Sequence, residues 1–271
     1  MHEIPARTIQ TDKTRVHSVR VQAAITGLHM LHPGYEHLFF DDRDADDFVA
    51  THYPEFKEAY RSFRFPIQRV DFFRYLAVHK LGGFYFDVDV YFARPLTPLL
   101  SHTCVFPVER LAWSRYLRRD RKLMVELGNY AFGAAPGHPF LAAIIDNCIR
   151  ATRDHAWRDV VFAGMPRLLR RELFVIYTTG PGMVSRTFAE LERTDSISLL
   201  HAGNPCDRAS WNHFGDFAVH MMQSSWRHRL GAVRRRLLHW QQRRWEAEAL
   251  RDAQRSGSPE TRSVIRCDNE A

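Results

Sequence analysis

The chain has 271 residues, 45% of them hydrophobic and 13% aromatic, which excludes a disordered or fibrous protein and suffices for one large domain with a real core. Its formal net charge is +7, but residues 227–271 hold 11 arginines against six acids, whereas residues 1–226 are within two charges of neutrality. The body therefore reads as an ordinary soluble globule, and the basic character belongs mostly to a tail.

The opening segment, Glu3 to Thr14, starts apolar at Ile4 and Ile9 and then turns polar, as a first strand followed by a loop would. No apolar stretch follows a basic start, so no signal peptide is expected. Ser18 to Leu31 has helical spacing, with Val21, Ala24, Ile25 and Leu28 on one face and His32-Pro33-Gly34 as the stop. Tyr35 to Phe40 reads as a short strand, and the acid-rich Asp41 to Tyr53 as a helix whose first turn favours carboxylates.

Phe65 to Leu96 is the most informative region. Pro66 suits a helix start and Gly82-Gly83 a helix stop. Between them Asp71 and Arg74 are three residues apart and share a face. Phe84-Tyr85-Phe86 is strand-like, and Asp87 and Asp89, two apart, project to the same side if the chain stays extended.

Further on, Leu127 to Ile145 is long and uncharged, but its glycines and prolines make it a loop and buried segment and not a membrane span. Asn129 to Ala135 is expected as a strand and Phe140 to Arg150 as a helix with Leu141, Ile144, Ile145 and Cys148 inward. Leu173 to Tyr177 reads as a buried strand, Thr178 to Gly182 as a loop, and Ser196 to Leu200 and Phe217 to His220 as short strands. Alternating helices and strands predict an α/β sandwich around a mainly parallel sheet. Four scattered cysteines, Cys104, Cys148, Cys206 and Cys267, suit a reducing cytosol and neither a zinc ribbon nor a disulfide framework.

Two aspartates ending an aromatic strand are costly to ionise without a counter-charge. Hard Mg²⁺ or Mn²⁺ supplies one, taking one or two carboxylates together with phosphate oxygens of a substrate. The plainer reading of an isolated Asp-x-Asp is a solvated turn, or pairing with Arg94. No His-Glu-x-x-His cluster, Gly-x-Ser-x-Gly elbow or phosphate-cradling Gly-rich loop is present.

The run from Pro66 to Pro95 resembles the core of the family 32 glycosyltransferases, the group of bacterial polysaccharide transferases and fungal mannosyltransferases. The shared elements are Asp71, Arg74-Tyr75, Gly82-Gly83, Tyr85 and Asp87/Asp89. The likeness extends over residues 4–226 through Ile4-Pro5, Gln10-Thr11, Lys13-Thr14, Asn129 to Phe132, Pro136 to Pro139, Thr179-Gly180-Pro181, His220 and Ser225-Trp226. One departure is in the opening motif, where the family usually has His and Trp and this chain has Ile9 and Asp12.

The resemblance implies a GT-A fold, a nucleotide-binding α/β sandwich, and sugar transfer with retention of anomeric configuration. It implies Asp89, His220 and Asp87 as metal ligands for Mn²⁺ or Mg²⁺, with Asp87 also on the ribose and donor sugar. Asp71, Arg74 and Asp87 become the catalytic set, acting by positioning and electrostatics. A UDP- or GDP-sugar would be held by Gln10, Thr11, Asp71, Arg74, Gly83, Asp87, Ser225 and Trp226, with Trp226 on a mobile lid. Thr179 and Gly180 would lie on the side of a glycan or lipid-linked acceptor.

The resulting division is a transferase domain over residues 1–226, a basic amphipathic helix over 227–255 and a disordered end over 256–271. The helix, with Val233, Leu237, Leu238, Trp240, Trp245 and Leu250 among arginines, either packs on the body or lies on an anionic membrane through residues 232–255. Nucleic acid is not an expected partner, because no recognition motif accompanies the charge. A cytoplasmic enzyme, peripheral on the inner face of the membrane, is the expectation. Two other functions compete with it: a haloacid-dehalogenase-type phosphatase with Asp87 as nucleophile, and a non-catalytic membrane- or glycan-binding protein.

Overall fold

The computed structural model describes residues 3–165, 170–204, 207–221 and 232–256. The elements in order are β1 (Arg7–Thr11), α1 (Val19–Leu31), β2 (Glu36–Phe40), α2 (Asp42–His52), α3 (Lys57–Ser62), α4 (Pro66–Leu81), β3 (Gly83–Phe86), β4 (Val90–Phe92), β5 (Cys104–Leu111), β6 (Val125–Leu127) and β7 (Ala131–Ala134). There follow α5 (Pro139–Arg153), α6 (His155–Asp159), α7 (Arg170–Thr178), α8 (Pro181–Glu190), β8 (Ser198–Leu200), β9 (His213–Phe214), β10 (Ala218–His220) and α9 (Ala232–Ser256).

A seven-stranded sheet runs β2-β1-β3-β7-β5-β6, with β8 also pairing on β5. The β2-β1-β3 side is parallel, β7 runs antiparallel between β3 and β5, and β8 is parallel to β5. Alternation along β3 decides what each face buries. Tyr85 joins Ile9, Phe106 and Phe132 in the main core beneath α2, α4, α5 and α8. Phe84 and Phe86 face the other way, into a core shared with Phe214 and Ala218 of the small β4-β10-β9 sheet.

Local chemistry fixes the site-bearing segment. Pro66 opens α4, where a missing N–H costs nothing. Gly82 ends the helix at φ 67° and Gly83 follows at φ 105°, conformations that L side chains rarely adopt. A Cβ on Gly83 would also stand 2.7 Å from the Arg7 carbonyl oxygen. Asp41 caps α2 through a reciprocal bond with Asp44, in line with the acid-rich sequence there.

Three sequence expectations about these elements are corrected. Leu173 to Tyr177 is not a strand but the body of α7, and Pro181 opens a further helix, α8, where a loop was expected. A short apolar run has no period that separates a strand from a buried helix; here Leu173, Val175, Ile176 and Tyr177 are all buried, so both faces of the helix are covered. Asp87 and Asp89 are not extended either. They occupy a turn between β3 and β4, closed by the Val90 N–H donating to the Asp87 carbonyl at 3.2 Å.

The tail helix is present as α9, and Ser256, expected to begin a disordered end, is its last residue. The rest of that end, 257–271, lies outside the described residues. Trp245 of α9 packs on Trp113 with ring centroids 5.4 Å apart, so part of the helix is seated on the body.

Candidate active site

The site forms where α4, the β3–β4 turn and β10 meet. Because β10 pairs antiparallel with β4, His220 sits opposite Val90, next to the turn that carries the aspartates. One ligand atom from each of Asp87, Asp89 and His220 lies within 4.8 Å of the others. His220 Nε2 is 3.2 Å from an Asp89 oxygen and 3.9 Å from an Asp87 oxygen. Tyr130 stacks on the imidazole at 4.5 Å with 16° between planes, which fixes the ring's orientation. Burial works against charge on His220, but the bond to Asp89 and the charges of Asp87, Asp89 and Glu109 outweigh it and raise its pKa above the ordinary imidazole value. Two carboxylates and an imidazole offer two hard oxygen donors and one borderline nitrogen, a set that suits a divalent cation.

Behind the triad lies a buried ion network. Arg74, 3% exposed, contacts Asp87 at 3.1 Å and Asp71 at 3.3 Å. It donates to the Asn129 carbonyl at 2.7 Å and lies 4.6 Å from the centroid of the Tyr85 ring. The Tyr85 hydroxyl donates to the same Asp87 oxygen at 2.8 Å. Asp71 accepts from the Asn129 amide at 3.0 Å and from the Thr179 hydroxyl at 3.1 Å. Burial pushes the Asp71 carboxyl up to about 6; Arg74 pulls it down and Asp87 pushes it up further. Burial opposes charge on Arg74, yet Asp87, Tyr85 and Asp71 reverse that and hold its pKa above the usual value. The Arg74 Nε is buried with no hydrogen-bond partner among the described residues.

Asp71, Arg74, Asp87, Asp89 and His220 are thus brought together. Thr11 ends β1 beside β3, its hydroxyl donating to the Phe40 carbonyl at 2.8 Å. Gln10 faces a cleft lined by Arg15, His17, His29, His37 and Phe39, on the α1 side of the sheet. Gly83 sits at the opposite end of β3 from Asp87, against Arg7. Thr179 holds Asp71, and Gly180 caps α8 in close contact with Ile176. Ser225 and Trp226 lie outside the described residues.

Sequence reasoning did not give site roles to Asn129, Tyr130 or Glu109. Asn129 joins Asp71 to the Tyr75 hydroxyl, at 3.0 Å each. Glu109, 6% exposed, lies where the β5–β6 register shifts and bonds Arg110 at 2.8 Å. Local pattern carried no signal for them, since their partners are remote in sequence. Asp87, which a phosphatase of the haloacid-dehalogenase type would use as nucleophile on its first strand, follows the third strand in chain order and already has a hydrogen bond and an ion pair on one oxygen.

Comparison with known proteins agrees with this geometry. The family described as "Glycosyltransferase sugar-binding region containing DXD motif" matches residues 18–106, the stretch that holds Asp71, Arg74, Asp87 and Asp89. Over that stretch the chain is similar to these DXD glycosyltransferases. It is 32% identical over 171 residues to "Inositol phosphoceramide mannosyltransferase 3" of Schizosaccharomyces pombe, covering 63% of this chain and 41% of that protein. It is 33% identical over 115 residues to "Mannosyl phosphorylinositol ceramide synthase CSH1" of Saccharomyces cerevisiae, covering 42% and 27%. The chain therefore spans at most about two fifths of the length of these curated relatives. A solved structure, "PaToxG Glycosyltransferase", superposes over 69% of each chain at 13% identity with a TM-score of 0.49.

Proposed function

We propose that this protein transfers a sugar, with mannose as the first choice, from a nucleotide-diphosphate donor to a hydroxyl of a glycan or lipid-linked acceptor, with retention of configuration and with help from Mn²⁺ or Mg²⁺. The observation that carries this reading is the convergence of Asp87, Asp89 and His220 within 4.8 Å directly beside the buried Asp71–Arg74 pair. The mannosyl preference rests on the printed functions of the fungal relatives, as does a phosphoinositol lipid as the acceptor to test first.

In this reading Asp89 and His220 hold the metal, and Asp87 shares it while its other oxygen stays fixed by Tyr85 and Arg74. The cation, when bound, neutralises the diphosphate and stabilises it as a leaving group. Asp71 and Asn129 present a rigid carboxylate and amide to sugar hydroxyls. The Arg74 guanidinium places fixed positive charge where the bond to the leaving group breaks, and it is oriented before the reaction begins, so no reorganisation is required then.

Thermal-shift titration of the protein with GDP-mannose and with UDP-sugars, each with and without Mn²⁺, tests the reading. Binding at a hundred times Kd stabilises by about 2.7 kcal/mol, so a Mn²⁺-dependent rise of several degrees is expected with one nucleotide class. Stabilisation by neither class in the presence of Mn²⁺ contradicts the proposal.

A further inference from the structure

The C-terminal helix α9 separates its charges onto two sides. Its acids face the body: Glu248 pairs with Arg115 at 2.8 Å and Arg119 at 2.9 Å, and Asp252 pairs with Arg118 at 2.9 Å. Glu246 is buried on the same side, together with Trp245 and Ala249. These positions recur three or four apart, as one helix face requires. All three carboxylates of α9 are therefore on the seated side.

The opposite side contains no acid. Arg236, Trp240, Arg243, Arg244, Leu250 and Arg251 are exposed along it. Trp240 is 52% exposed and Leu250 36%, and the Arg244 guanidinium lies 4.7 Å from the centre of the Trp240 ring. Seating a helix on the body would not require an indole and a cluster of arginines to face away from it. An exposed indole and leucine interspersed with arginines suit a helix lying in the plane of a phospholipid interface. No helix among the described residues is long and apolar enough to cross a membrane, so contact would be peripheral. A nucleic acid would use the arginines but gives no reason for an outward Leu250.

We propose that the outward face of α9 is a membrane-binding surface that lays the protein on anionic phospholipid, with Trp240 and Leu250 at headgroup depth and Arg236, Arg243, Arg244 and Arg251 on lipid phosphates. The seated side meets Trp113, whose ring lies 3.7 Å from the guanidinium of Arg110, the partner of Glu109. The surface is thus joined by packed side chains to β5, the strand that carries Glu109. This inference goes beyond the catalytic reading and does not depend on it.

The test is co-sedimentation of the full chain with phosphatidylcholine vesicles, with and without phosphatidylserine, and with a short DNA duplex and a single-stranded RNA as separate probes. The wild type is expected on the anionic vesicles, less at high salt, and not on neutral ones. Each arginine near an anionic surface contributes roughly fivefold, so the combined variant Arg236→Glu, Arg243→Glu, Arg244→Glu and Arg251→Glu should lose roughly several hundredfold or more in partitioning. Trp240→Ala alone should weaken binding about tenfold. Both variants leave Trp245, Glu248 and Asp252 in place, so melting temperatures should match the wild type. Absence of wild-type binding to anionic vesicles, unchanged binding by both variants, or tighter binding to DNA or RNA than to vesicles would overturn the proposal. Because nucleotide-sugar binding is measured separately, loss of one conclusion leaves the other standing.

Discussion

Replacing Arg74 by Met tests the electrostatic design of the site most severely. Arg74 is the shared counter-ion of Asp71 and Asp87, and methionine fills part of its volume without its charge. Removing one member of a buried pair costs about 3–5 kcal/mol, because the remaining carboxylates stay buried and uncompensated. Protonation limits that cost: Asp71 already titrates at about 6 with Arg74 present, and without Arg74 its pKa must rise. The penalty should therefore be largest near about pH 8 and smaller near about pH 5. Urea unfolding of metal-free protein at both pH values measures it. Adding Asp71→Asn to the variant should recover about 2 kcal/mol, since neighbouring sites couple by up to about 3 kcal/mol. A loss under about 1 kcal/mol at both pH values, or no recovery in the double variant, would refute the reasoning.

Other expectations follow from single contacts. In the metal-free protein Asp71 keeps its proton to about pH 6, against 3.8 in the unfolded chain. The folded state therefore binds the extra proton between those values, and stability should fall by about 3 kcal/mol as pH rises through that window; Asp71→Asn should flatten the slope in a pH series of urea melts. The proposed ligation by His220 requires its neutral imidazole, and its pKa is raised, so on this proposal calorimetric Mn²⁺ affinity should fall as pH drops through that raised value, by up to about tenfold per unit. Equal affinity at about pH 8 and about pH 6 would exclude His220 as a ligand. Gly83→Ala, forced to φ 105° with its Cβ against the Arg7 carbonyl, should cost about 1–3 kcal/mol and lower the melting temperature measurably; an unchanged melting curve would show that the β1–β3 pairing tolerates a side chain there.

What was legible in the sequence was local. A proline at a helix start, two glycines at its stop and an alternating aromatic strand located α4, β3 and the aspartates within a residue or two of their places. The face of α5 was equally plain, and Leu141, Ile144, Ile145 and Cys148 are all buried as its spacing required. Leu173 to Tyr177 was misread because β-branched and aromatic residues suit both a strand and a helix covered on every side. The turn at Asp87–Asp89 was missed because spacing of two describes side-chain direction only in an extended chain. His220 came from family resemblance alone; its meeting with the aspartates depends on β10 pairing with β4, a long-range contact with no local signature. Tyr130 and Glu109 depend likewise on strand order and on an irregularity in β5.

The central claim is that the Asp87–Asp89–His220 cluster drives sugar transfer from a nucleotide donor. Release of nucleoside diphosphate from GDP-mannose and from UDP-sugars, with Mn²⁺ and a phosphoinositol lipid acceptor, should be compared between the wild type and Asp89→Asn at matched melting temperature. The account predicts Mn²⁺-dependent turnover by the wild type and a loss of at least about a hundredfold in Asp89→Asn, the scale expected when a group stabilising transition-state charge is removed. Comparable turnover by a folded Asp89→Asn protein, or turnover that is indifferent to Mn²⁺, would contradict it.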